Sequence, residues 1–156
     1  MKRLSFFKRI VSLPIIFIAV IVLLLVASGP INDIIAANIV KGLTQNPLPE
    51  KTEIIEEKAV AARMCGNGDG VQYFGALLLK SDLTLDELRA YYSQFSDSDD
   101  CNVVDHQYGK DIKQNELPAL QTVSFNKDID DDNYYILYTW GNYNGIFKYL
   151  DIRGIN

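Results

Sequence analysis

The chain has one histidine, two cysteines and, between residues 10 and 32, no charged residue at all. Each shortage excludes something. With His106 alone, a zinc site would need Cys65 and Cys101, which lie too far apart in sequence to give ligand spacing. His106 is also the sole imidazole base for a hydrolase triad, and no Gly-x-Ser-x-Gly turn presents a nucleophile for it. Pairing His106 with either cysteine would imitate a thiol nucleophile, against the simpler reading of a surface histidine near a strand end. No cysteine closely follows the apolar run, so lipid modification at that point is not expected. No repeat or low-complexity tract is present.

The missing charge is the most informative absence. Ile10 to Ala27 is almost unbroken Ile, Val, Leu, Phe and Ala, and residues 10–28 number 19. At ~1.5 Å per residue such a helix reaches ~28 Å, enough to cross the hydrocarbon core of a bilayer. Lys2, Arg3, Lys8 and Arg9 precede the run, and Asp33 is the next charge after it. The positive-inside rule then predicts residues 1–9 as a cytoplasmic tip, 10–28 as a single span, and an extracytoplasmic remainder at the cell membrane. A cleaved signal peptide is the rival reading, with Val26-Ala27-Ser28 as a loose small-residue site. The run is longer than the ~7–15 residues of an h-region, which favours an uncleaved anchor in lipid.

Basic residues are scarce beyond the anchor. The whole chain carries −5, of which the four N-terminal cations contribute +4, so residues 10–156 carry −9. An acidic body is repelled by nucleic acid, which removes that class of partner. Outside the cytosol two cysteines are read as a disulfide, Cys65 to Cys101, or as two small buried hydrophobes. If formed, the bond would close a loop of ~37 residues and contribute roughly 3–4 kcal/mol.

Along the rest of the chain, residues 29–49 read as a juxtamembrane helix followed by a tether. Apolar residues at 31, 34, 35, 39 and 43 predict an amphipathic helix, either prolonging the anchor or lying on the membrane surface. Pro30 suits its first turn, and Gly42, Asn46, Pro47 and Pro49 are expected to break it. Residues 50–156 form the predicted domain. Residues 50–64 have helical propensity but precede the turn-forming run 66–70, which favours the first arm of a hairpin. Val71 to Lys80 is its second arm. Thr84 and Glu87 make a capping box, with Leu83 and Leu88 as a hydrophobic staple, and the helix should run to about Phe95. Further strands are predicted at 101–107, 120–126, 133–140 and 146–152. The expected fold is α+β: an antiparallel sheet packed by one main helix, with three or four strands after the helix, β-β-α-β-β-β in the shorter count.

The run Pro47-Leu48-Pro49, Thr52-Glu53-Ile54-Ile55, the glycine-rich turn at 66–70, Gln72-Tyr73-Phe74-Gly75-Ala76 and Lys80-Ser81-Asp82-Leu83 to Tyr91-Tyr92 carries a likeness. It resembles a module of uncharacterised bacterial envelope proteins held by one N-terminal span or a lipid. The resemblance covers about residues 47–95 and implies strand over helix for 52–64. It brings no assigned activity and no cofactor. The chain departs from lipid-anchored members by lacking their cysteine.

Two surface features remain. Asp128, Asp130 and Asp132 are spaced as in a calcium loop, but Asn133 stands where glycine is wanted and Thr139 where a bidentate glutamate is wanted. A solvated turn is the plainer reading. Tyr134, Tyr138 and Trp140 alternate onto one sheet face, with Tyr135 on the other, and Tyr143, Phe147 and Tyr149 are expected to continue the stripe on the next strand. Such rings suit contact with a partner, an envelope protein or glycan, or else they are core beneath the helix. The chain is therefore expected to be a non-enzymatic binding module of the envelope. An envelope enzyme and a calcium-stabilised structural module are the alternatives.

Overall fold

The computed structural model describes residues 2–63, 70–95, 101–106, 125–127, 132–141 and 145–153, with backbone alone at 2–12, 101–106 and 140–141. A long helix, α1 (Lys2–Gln45), leads into β1 (Thr52–Ala62), β2 (Gln72–Ser81) and α2 (Leu85–Tyr92). A 3-10 turn at Ser93–Phe95, β3 (Cys101–His106), β4 (Tyr134–Gly141) and α3 (Phe147–Leu150) follow. The strands form one antiparallel sheet in the order β1-β2-β4-β3. The protein is α+β and, among the described residues, has one helix long and apolar enough to span a membrane.

Helix α1 is continuous through Pro14 and Pro30. Of the two expectations for the segment after Pro30, the helix prolongs the apolar run. It has two halves of opposite character. Leu13 to Leu23 point apolar side chains outward on every side, whereas from Ser28 onward one stripe is buried: Ser28, Asn32, Ala36, Val40 and Leu43. Steps of four, four, four and three keep that stripe on one face. Residues 32–43 are thus part of the body's core rather than a separate juxtamembrane helix. The long helix belongs to both the apolar half and the body.

The hairpin is found where the turn-forming run predicts it, with Val60 opposite Phe74 and Glu53 opposite Lys80. A bulge between Ile54 and Glu56 shifts the register there. Strand β2 is central and buried along nearly its whole length, because both its faces are covered. On one face Leu77, Leu79, Tyr135 and Leu137 pack against Val40 and Leu43 of α1 and Leu88 and Tyr92 of α2. Farther along α1, Ala36 meets Val71 and Tyr73, with Ile35 and Ile39 beside them. Gly75 makes that approach possible: a Cβ there would stand 2.9 Å from Ile39 Cγ2 and 3.3 Å from the Val40 amide nitrogen. On the other face Phe74, Ala76, Leu78, Tyr134 and Ile136 pack with Phe125.

Helix α2 starts as its sequence requires. The Thr84 side chain accepts from the Glu87 amide, and the Glu87 carboxylate accepts from the Thr84 amide at 2.8 Å. The hydrogen bonds that this carboxylate accepts from the Thr84 amide and the Thr84 hydroxyl hold it below its ordinary value.

Three expectations need correction. The sheet is not packed by one main helix, because α1 shares that face with α2. The buried stripe on α1 is not the predicted apolar face: of residues 31, 34, 35, 39 and 43 only Leu43 is buried, Ile34 is exposed, and Ser28, Asn32, Ala36 and Val40 complete the stripe. The segment 146–152 is not a strand: its exposed residues recur every third position, and Phe147–Leu150 is a helical turn. That replaces the last β of the predicted order. Of the strand predicted at 120–126, only 125 and 126 are described, and they are not strand; the rest lies outside the described residues.

Candidate functional site

The densest polar arrangement lies where α1 changes character. Asn32, on the buried stripe, donates from Nδ2 to the Phe147 carbonyl at 3.1 Å and to Asp151 Oδ2 at 2.9 Å. Tyr73 Oη donates to Asn32 Oδ1 at 2.7 Å. Arg153 reaches over the top of this group. Its guanidinium donates to Asp151 Oδ2 at 2.7 Å, to Asp33 Oδ2 at 2.9 Å and to the Gly29 carbonyl at 2.9 Å. Four elements are thereby fastened at one point: the middle of α1, the start of β2, α3 and the segment after it.

Charge explains the strength of the fastening. The Asp151 side chain is 1% exposed, and hydrogen bonds from Arg153 hold its carboxyl down at about 2 although burial pushes it up. Asn32 adds to that lowering. Arg153 in turn is held more firmly protonated, first by Asp151 and then by Asp33. A buried carboxylate with a bidentate cation and an amide donor is satisfied on both oxygens. The same α3 segment is clamped from below by backbone. Val71 donates its amide to the Lys148 carbonyl at 2.9 Å, and Gly70 has φ +93 with that oxygen only 2.7 Å from where its Cβ would be. Only glycine fits there.

Gly70 belongs to the turn-forming run; nothing in the sequence marks the others as partners in this cluster. Asn32 lies 119 positions from Asp151 and Asp33 lies 120 from Arg153, so no local spacing announces them. The one available signal was an amide, Asn32, on the face that the domain buries.

The aromatic set is divided. Tyr134 is 2% exposed and sits in the core, with Lys80 Nζ 5.2 Å from its ring centre. Its ring is therefore not offered to a partner. Tyr138 is half-buried and stacks on Phe74, centroids 5.9 Å apart at 27°. Tyr134 and Tyr138 do share a face, and Tyr135 points to the other, where burial raises its hydroxyl pKa. Trp140 is opposite Phe74 in the ladder; its side chain and Tyr143 lie outside the described residues.

Of the proposed calcium ligands, Asp132 is exposed in the turn before β4, while Asp128 and Asp130 lie outside the described residues. The stretch before them is held by Glu56, which accepts from the Asn126 amide at 2.8 Å and the Lys127 amide at 3.1 Å. Cys65 lies outside the described residues, and Cys101 is placed by its backbone opposite Thr139. His106 is opposite Tyr135 at the other end of β3. Among the described residues no three His, Cys, Asp or Glu side chains gather as a metal site. A shallow cleft of about 340 Å³ opens at the end of the sheet away from Asn32, lined by Lys51, Thr52, Glu53, Lys80, Ser81 and Asp82.

No known family model matches the chain, and no match was found among curated proteins or solved structures.

Proposed function

We propose that this is a single-pass protein of the bacterial cell membrane whose body is held on the extracytoplasmic side as a non-enzymatic binding module. The observation that carries the reading is the two-part helix. Over 13–23 it is bare and apolar, a state water does not tolerate but lipid does, and from Ser28 it is a member of the body's core. Lys2, Arg3, Lys8 and Arg9 before the span favour a cytoplasmic N-terminus. The acidic remainder suits an aqueous compartment.

The non-enzymatic part rests on the sequence, which concentrates no acid, base and nucleophile at one place. Among the described residues, the shifts at Glu87, Asp151, Arg153, Tyr92 and Tyr135 run away from neutrality. A proton-transfer site needs the opposite tuning. The likeness to envelope modules agrees with this reading. Contact with an envelope protein or glycan is assigned to the sheet face bearing Tyr138, extended by Trp140 and Tyr143.

Two measurements test the proposal. Protease added to intact, outer-membrane-permeabilised cells should digest the body, and protection until the inner membrane is opened would reverse the orientation. Affinity capture from native membranes should recover a partner that a Tyr138→Ala/Trp140→Ala chain loses while still melting cooperatively. Undiminished capture by that folded variant rejects the aromatic face as the contact.

A further inference from the structure

The α3 segment is built inside out for a water-facing surface. Its outward positions are Ile146, Tyr149 and Ile152, at 64%, 64% and 65% exposure, spaced every third residue. Its inward positions include Lys148 and Asp151, both buried. A short element exposing three large apolar side chains and hiding its ionisable ones is matched to an apolar medium rather than to water.

Its height along α1 identifies that medium. Counting ~20 residues for the hydrocarbon core from Ile10, the first uncharged position, brings the boundary to about Gly29. The α3 segment is fastened at this level: Arg153 binds the Gly29 carbonyl, and Asn32 holds Phe147 and Asp151. Just below, Val26 is exposed on the helix, so apolar surface reaches this level on the span as well. Arg153 is half-exposed beside the patch while paired with Asp151 and Asp33, and the Nζ of the buried Lys148 lies 4.9 Å from the centre of the Tyr149 ring. Tyrosine with a nearby cation is the side-chain pairing suited to the headgroup boundary.

We propose that Ile146, Tyr149 and Ile152 form a foot that enters the headgroup and upper acyl region of the same bilayer that α1 spans. The occupant of the patch is lipid. The inference rests on the membrane reading given above, and its test separates the two. The foot adds a second contact to the span and fixes which side of the body faces the membrane.

The full chain, with Trp140→Phe so that one tryptophan is added at a time, is reconstituted in phosphatidylcholine vesicles brominated near either end of the acyl chain. Tyr149→Trp and Ile152→Trp should be quenched by the shallow bromines about twofold more than Leu48→Trp, a position on the far end of the body, because an interfacial side chain lies ~5–10 Å into the boundary. Val20→Trp, at mid-span, should be quenched by the deep bromines. If Tyr149→Trp and Ile152→Trp match Leu48→Trp while Val20→Trp is quenched, the foot is rejected and the anchor stands. If Val20→Trp is not quenched, the anchor fails and the foot with it. Shielding of Tyr149→Trp and Ile152→Trp from both bromine and aqueous iodide would show a second protein copy on the patch, which also overturns the lipid assignment. Should Trp140→Phe not fold, the same series read as differences from the parent chain gives the answer.

Discussion

Asp151 is a carboxylate shut away from water and kept charged by its neighbours, and this makes stability depend on acid in a calculable sense. Its carboxyl is depressed from 3.8 to about 2, chiefly by Arg153. A depressed carboxyl stabilises the fold above its unfolded value and loses that contribution as pH falls through the folded one. Thermal melting of the full chain should therefore weaken between about pH 4 and pH 2, and Asp151→Asn should remove that part of the pH dependence. An unchanged acid slope in the variant would show that Asp151 is not the group responsible. Gly75 is a steric counterpart. Valine there drives carbon into Ile39 and Val40 across the helix–sheet contact, and about 1–3 kcal/mol of stability should be lost in denaturant titration. Shortening Ile39 to alanine in the same chain should recover part of that loss, because the nearest clash is with its Cγ2.

At the scale of elements, what could be read from sequence was whatever rests on local chemistry. The β1–β2 hairpin follows from the turn-forming run at 66–70, and α2 follows from Thr84 and Glu87 with Leu83 and Leu88 beside them. Removing the cap by Thr84→Ala should cost about 1 kcal/mol, measured by chemical denaturation. A cost near zero would mean that packing of Leu88 and Tyr92 holds α2 without it. The sidedness of Tyr134, Tyr135 and Tyr138 also followed from strand alternation. Segment 146–152 shows where local reading ends. Its apolar and polar residues alternate loosely enough to suggest a strand, yet Asn32, Gly70 and Val71 hold it as a helical turn from a hundred residues away or nearly so. The polar fastening at Asn32 was invisible for the same reason, since its partners meet only after folding. The aromatic face was legible as a face, but not the fact that Tyr134 spends its ring in the core.

For the whole molecule the decisive boundary is Ser28, not Glu50. Reading 29–49 as helix and tether puts the start of the body after the prolines, whereas Ala36, Val40 and Leu43 are core. A chain beginning at Ser28 should fold as a soluble, cooperatively melting body. One beginning at Glu50 should leave Leu77, Leu79 and Tyr73 uncovered and aggregate or melt without a transition. Circular dichroism melts of the two fragments decide the matter, and a cooperative melt of the shorter one would remove α1 from the core. Both fragments lack the span, so the comparison concerns the body alone.

An unbroken rod whose first half is bare and apolar and whose second half packs on the sheet has no elbow. From Ser28 to Gln45 it rises only ~27 Å. Under the membrane reading proposed above, the body's reach above the bilayer would then be short and its bearing would follow the tilt of the rod. A distant partner would have to come down to meet it, and sideways travel in the plane of the lipid would be its way of searching its surroundings.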